Sequence, residues 1–105
     1  MELSEWRRWW RERGEQELQS LLMAKWDPIG ANDESGAADE YDIYALPLAG
    51  KLREGASVHD MARYLDTVEV ERMGMDDPGP RNEATAEAIR RWYAESTAQF
   101  ANSSN

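Results

Sequence analysis

His59 is the only histidine in the chain, and there is no cysteine. A Ser-His-Asp relay would have to pass through His59, and cysteine nucleophiles, disulfides and thiolate zinc sites are excluded outright. Helical spacing puts His59 in the first turn of a helix, where exposure is expected. No serine stands in a G-x-S-x-G elbow, and the G-x-G-x-x-G, G-x-x-x-x-G-K and H-E-x-x-H patterns are absent. The sequence puts forward no catalytic residue, and neither a cofactor nor a metal is expected.

Acids are the other chemically able residues. The stretch from Asp27 to Asp42 holds six acids and no base. Clustered carboxylates suit hard cations such as calcium or magnesium. The twelve-residue calcium-loop pattern nevertheless fails here. Started at Asp27, it puts Ile29 and Ala31 at ligand positions and Ala38 where a glutamate belongs. Started at Asp33, it puts Ala37 at the fifth position and Tyr44 at the twelfth. A structural reading accounts for more of the residues. Asp27 before Pro28 starts a turn, Gly30 and Gly36 allow bends, and Asp39 or Glu40 suits the start of a helix. Asp27, Glu40 and Asp42, close in sequence to Tyr41 and Tyr44, remain the candidate polar site for a small ligand or divalent metal.

A third group is "EWRRWWRERG", with three tryptophans and four arginines in ten residues. On a helical wheel Trp6, Trp9 and Trp10 share one face, spread within about 60° of Trp6. Arg13 falls beside them and is placed to stack on an indole. Such a patch suits a protein interface, a membrane surface or a nucleic acid. The charge of the whole chain opposes the last two. Twenty-one acids against twelve bases give −9, a field that repels phosphate and anionic lipid. Packing inside the protein is therefore the first expectation for Trp6, Trp9 and Trp10. An interface, including self-association through them, comes second.

The elements that would position these groups are helical. A first helix is expected from Ser4, as N-cap, to about Lys25. Its leucines, Leu18, Leu21 and Leu22, lie about 120° round the wheel from the tryptophans, so a bend at Gly14 or two differently facing halves is expected. A second helix spans about 39–54, with Tyr41, Tyr44, Ala45, Leu48 and Leu52 on one side, and Pro47 predicts a kink or break. Gly55 suits the residue after its end. A third helix opens at Ser57 with Asp60 three residues on, and Val58, Met61, Ala62, Leu65 and Val68 form one stripe along it. Gly74 closes it. After the turn-rich "DDPGP" a fourth starts near Asn82, with Ile89, Trp92, Tyr93, Ser96 and Phe100 in register. The tail 101–105 is expected to fray. At 105 residues the expectation is one compact all-α domain, roughly a four-helix bundle. With no signal-peptide pattern and no apolar run of about 20 residues, a soluble cytoplasmic protein is expected.

The motifs "KWDPIG", "EYDIY", "YLDTVEVERMGM" and "RWY" together resemble a small bacterial family of helical proteins, a domain family of unknown function. The resemblance spans roughly 21–93 and rests on Trp26, Asp27, Pro28, Gly30, Glu40, Tyr41, Asp42, Tyr44, Glu69, Met73 and Gly74. It implies a compact helical fold and a bacterial source, but no activity, substrate or cofactor. The tryptophan run lies outside the common pattern. Small size, acidity and the lack of catalytic motifs make a non-catalytic protein-interaction module the leading expectation. It would be regulatory or immunity-like, with a basic partner.

Overall fold

The chain is helical from Leu3 to Trp26, in four consecutive stretches: α1 (Leu3–Trp9), a π-helical turn π1 (Trp10–Gly14), α2 (Glu15–Leu21) and a second π-helical turn π2 (Leu22–Trp26). The computed structural model describes residues 1–26, 42–72, 74, 76–78 and 81–103. Extended Glu2, not Ser4, holds the N-cap position, and its carbonyl accepts from the Trp6 amide at 2.9 Å. Gly14 keeps helical dihedrals of −60° and −47°, so the rod does not break there. Each π turn takes up one residue more than an α turn, so it sets back everything that follows by about 100° on the wheel. That nearly cancels the offset of about 120° between the tryptophan and leucine faces. The second π turn does the same for Trp26. Trp6, Trp9, Trp10, Leu18, Leu22 and Trp26 consequently all lie in the core. Burying a large apolar side chain contributes about 1.5–3 kcal/mol, which is reason enough to keep all six on one side. The bend or divided face expected at Gly14 is thus replaced by a rotation within one continuous rod.

The next helix, α3 (Asp42–Arg53), runs through Pro47 without interruption. The carbonyl that loses its partner is that of Ile43, whose residue is exposed, as is Pro47 itself. Solvent can satisfy that carbonyl, so proline does not end the helix. α3 ends in a Schellman turn: Gly55, at φ +85°, donates to the Leu52 carbonyl, and Ala56 donates to that of Lys51. The Arg90 guanidinium adds a 2.7 Å bond to the Ala56 carbonyl. Ser57 then caps α4 (Val58–Thr67), its hydroxyl accepting from the Asp60 amide at 3.1 Å. A third π-helical turn, π3 (Val68–Arg72), prolongs α4. The long α5 (Asn82–Ser103) extends into the segment expected to fray.

These pieces form four rods in an all-α, single-domain bundle, with no strand among the described residues. Trp26 meets Tyr44 at one end of the first rod and Arg53 reaches Trp6 at the other, so α3 runs antiparallel to it. Asn82 meets Asp66 and Glu69, and Arg90 meets Ala56, so α5 runs antiparallel to α4. The expected stripes lie inward: Tyr44, Ala45, Leu48 and Leu52 from α3, Met61, Ala62 and Leu65 from α4 with Val68 from π3, and Ile89 and Phe100 from α5.

Candidate functional site

The first rod meets α5 in a nest of indoles. Trp9 is fully buried, with Trp6 and Trp10 nearly so. Trp6 and Trp10 lie nearly parallel at 6.1 Å, and Trp9 meets Tyr93 edge-on at 5.5 Å and Trp92 at 5.7 Å. Each buried N–H needs an acceptor. Trp6 Nε1 donates to the Tyr93 hydroxyl at 2.9 Å, and Trp9 Nε1 to the Ser96 hydroxyl at 3.0 Å. The Ser96 hydroxyl donates in turn to Glu17 Oε1 at 2.8 Å, and Trp92 Nε1 donates to the same oxygen at 2.9 Å. Arg13 Nε reaches the other oxygen at 3.3 Å. Burial alone would raise the Glu17 carboxyl; the bonds from Ser96 and Trp92 and the Arg13 charge outweigh it and hold Glu17 below its ordinary value. This network gives the N–H groups of Trp6, Trp9 and Trp92 acceptors on the neighbouring rod, and Trp6, Trp9 and Trp10 lie in the core.

Arg13 does not stack on an indole as its wheel position suggests. Its guanidinium goes to Glu17 and, at 3.4 Å, to Gln99. A carboxylate in reach at i+4 is the stronger attraction. The cations over aromatic rings are instead Arg53 on Trp6, Arg8 on Phe100 and Lys51 on Tyr64. At the far end of the rod, Trp26 is fully buried and perpendicular to Tyr44 at 6.0 Å. Asp27, Glu40 and Tyr41 lie outside the described residues, as does the side chain of Asp42. Among the described residues no three His, Cys, Asp or Glu side chains gather into a metal set.

A groove of about 600 Å³ opens beside the α3–α4 turn, lined by Lys51, Glu54, Asp60, Arg63 and Tyr64 among others. Burial pushes the Tyr64 hydroxyl up, against a lowering pull from Arg72. The four charges of mixed sign form no ion pair with one another, as solvated side chains do. His59 is exposed on α4 and does not line this groove.

The sharper surface feature is on α3. Ile43 is 62% exposed and Leu46 58%, and Pro47 is exposed beside them. Their i, i+3, i+4 spacing makes a short apolar strip on the side away from the core. Sequence reasoning singled out the inward set, Tyr44, Ala45, Leu48 and Leu52, and passed over what remained. The signal was present: apolar residues at 43, 46 and 47 cannot join the same face. No helix among the described residues is long and apolar enough to cross a membrane. No protein-family model, curated protein or solved structure matches this chain.

Proposed function

We propose that this chain is a protein-binding module, without chemistry of its own, that receives a basic and partly apolar partner at the start of α3. The carrying observation is the exposed strip of Ile43, Leu46 and Pro47. Large apolar side chains held on a rigid helix are suited to anchor a partner. The partner's charge is argued from the sequence next to that strip, where 27–42 contributes six acids and no base, and from the net charge of −9. Such a field speeds encounter with a basic surface and disfavours acidic competitors. The tryptophans support this reading indirectly. Their edges are engaged by Tyr93, Ser96 and Glu17, so the outward strip on α3 is a better docking feature than they are. The family resemblance adds no activity to choose among.

The test compares tagged wild type with Ile43→Asp/Leu46→Asp, at low and moderate salt. Both positions are exposed, so each change should alter stability by only about 0.5 kcal/mol. A protein recovered by the wild type is then purified and titrated directly. Binding weakened at least about tenfold by the double variant, and weakened again by salt, supports the reading. Binding indifferent to both the variant and the salt refutes it.

A further inference from the structure

We propose that the outer side of α3 seats a basic amphipathic helix, which crosses α3 at Gly50. This rests on the docking reading above and gives the partner its form. Ile43 to Gly50 reads IYALPLAG, eight residues without a charge. Tyr44, Ala45, Leu48 and Ala49 are buried against the bundle, while Ile43, Leu46 and Pro47 are exposed on the opposite side. A helix with one covered face normally carries polar residues on the other, and a helix apolar all round is one enclosed by neighbours. The rods of the bundle cover only one side of α3.

Gly50 is the second observation. On the helical wheel it falls within about 60° of Ile43, Leu46 and Pro47, so it continues their row over two turns, about 10 Å. A glycine inside a helix weakens it, and Gly14 has a packing reason that Gly50 lacks. A Cβ at Gly14 would strike Trp9 and Trp10, whereas one at Gly50 meets nothing within 4 Å. A missing side chain in an apolar row is a notch, and it lets a second helix come to the short end of the usual 8–10 Å between axes. Rows at i, i+3, i+4 and i+7 are what two packed helices present to each other. Charge decides the partner's ends. Glu54 lies four residues beyond Gly50, is exposed, and forms no ion pair among the described residues. The acids of 27–42 precede Ile43 in the chain. Lys or Arg at both ends of the partner's apolar row therefore meets acids. A second copy of this chain would bring acids to acids at a net charge of −9, and fits the strip worse.

The probe is a display library of random peptides of about 20 residues, long enough to form a helix. It is selected on the full wild-type chain and counter-selected on Ile43→Asp/Leu46→Asp. The peptides recovered are expected to repeat apolar or small residues at helical spacing, with Lys or Arg at both ends, and to gain helical circular dichroism when bound. The best of them is then titrated calorimetrically onto variants. Gly50→Leu should weaken it at least about tenfold, because the notch is filled. The same variant without peptide should melt about 4 °C higher than wild type, because leucine favours the helix and the space is open. Opposite signs for binding and stability separate a docking role from a structural one. Glu54→Gln should weaken binding about threefold and reduce its salt dependence. If Ile43→Asp/Leu46→Asp abolishes binding but Gly50→Leu does not, the docking surface stands and the crossing helix is overturned. A peptide indifferent to both variants counts against the docking surface as well. Recovery of no peptide, or of peptides alternating with a period of two, overturns the helix alone. So does a wild-type dimer in sedimentation that Gly50→Leu converts to monomer, since a second copy then fills the strip.

Discussion

Replacing Gly14 by alanine sets two effects of opposite sign against each other. In an open helix the change is favourable by about 0.5–1 kcal/mol, because glycine loses more backbone freedom on folding. Gly14 has ordinary helical dihedrals, so that gain is available to it. The space is not. A Cβ at position 14 would lie 2.8 Å from Trp9 Cη2, 2.9 Å from Trp9 Cζ2 and 2.9 Å from Trp10 Cε3. These atoms belong to rigid rings packed in the core, so both indoles must withdraw by roughly 0.5 Å or more to reach ordinary contact. Overpacking of this kind costs about 1–3 kcal/mol. The bond from Trp9 Nε1 to Ser96, now 3.0 Å, is strained in the same movement, at a further cost of about 1 kcal/mol. Crowding outweighs helix propensity, and Gly14→Ala should be less stable by about 1–3 kcal/mol, a fall in Tm of about 4–20 °C. Gly50→Ala is the internal control: it lies in α3, and a Cβ there meets nothing within 4 Å. It should gain about 0.5–1 kcal/mol. Urea unfolding followed by circular dichroism and tryptophan fluorescence measures both. A Gly14→Ala protein as stable as the Gly50→Ala protein would show that the indoles do not close over position 14, and the account of the first rod would fail with it.

Glu17→Ala removes the acceptor shared by Trp92 and Ser96, and should cost about 1–3 kcal/mol in urea unfolding; an unchanged midpoint would mean that the shared bonds do not hold the core. Glu17→Gln isolates the charge. Because the folded-state carboxyl is held below its ordinary value, its contribution is present above the unfolded value of about 4.3 and is lost as pH falls through the lower folded value. The stability gap between wild type and Glu17→Gln should therefore be level near neutrality and narrow below about pH 4.5; a gap that widens on acidification would reverse the sign assigned here. Ser57→Ala removes the α4 cap and should cost about 1 kcal/mol, seen as a fall in Tm of about 4–8 °C, whereas Ser4→Ala, inside the first turn of α1, should change Tm little.

The sequence by itself determined that the protein is a helical bundle and, for three of its four rods, which side chains face inward. Met61, Ala62, Leu65 and Val68 are buried as their spacing requires, and Ser57 and Gly55 mark the ends of their helices. These features are local: a 3.6-residue period and a cap are complete within a few turns of chain. It also implied that Trp6, Trp9 and Trp10 share a face, but could not place that face relative to Leu18 and Leu22. Their phase depends on π1, a wide turn whose value lies in the burial it permits against α5. Tertiary structure likewise decided where each buried donor is satisfied. Trp6 and Trp9 find Tyr93 and Ser96 87 residues away, and Trp92 finds Glu17 at a separation of 75. The burial of Glu69 against Asn82, and the choice of Glu17 over an indole by Arg13, follow the same rule. Periodicity reports which face of a helix is apolar, but a hydrogen bond is set by ångström distances across the bundle, which exist only once the rods have packed.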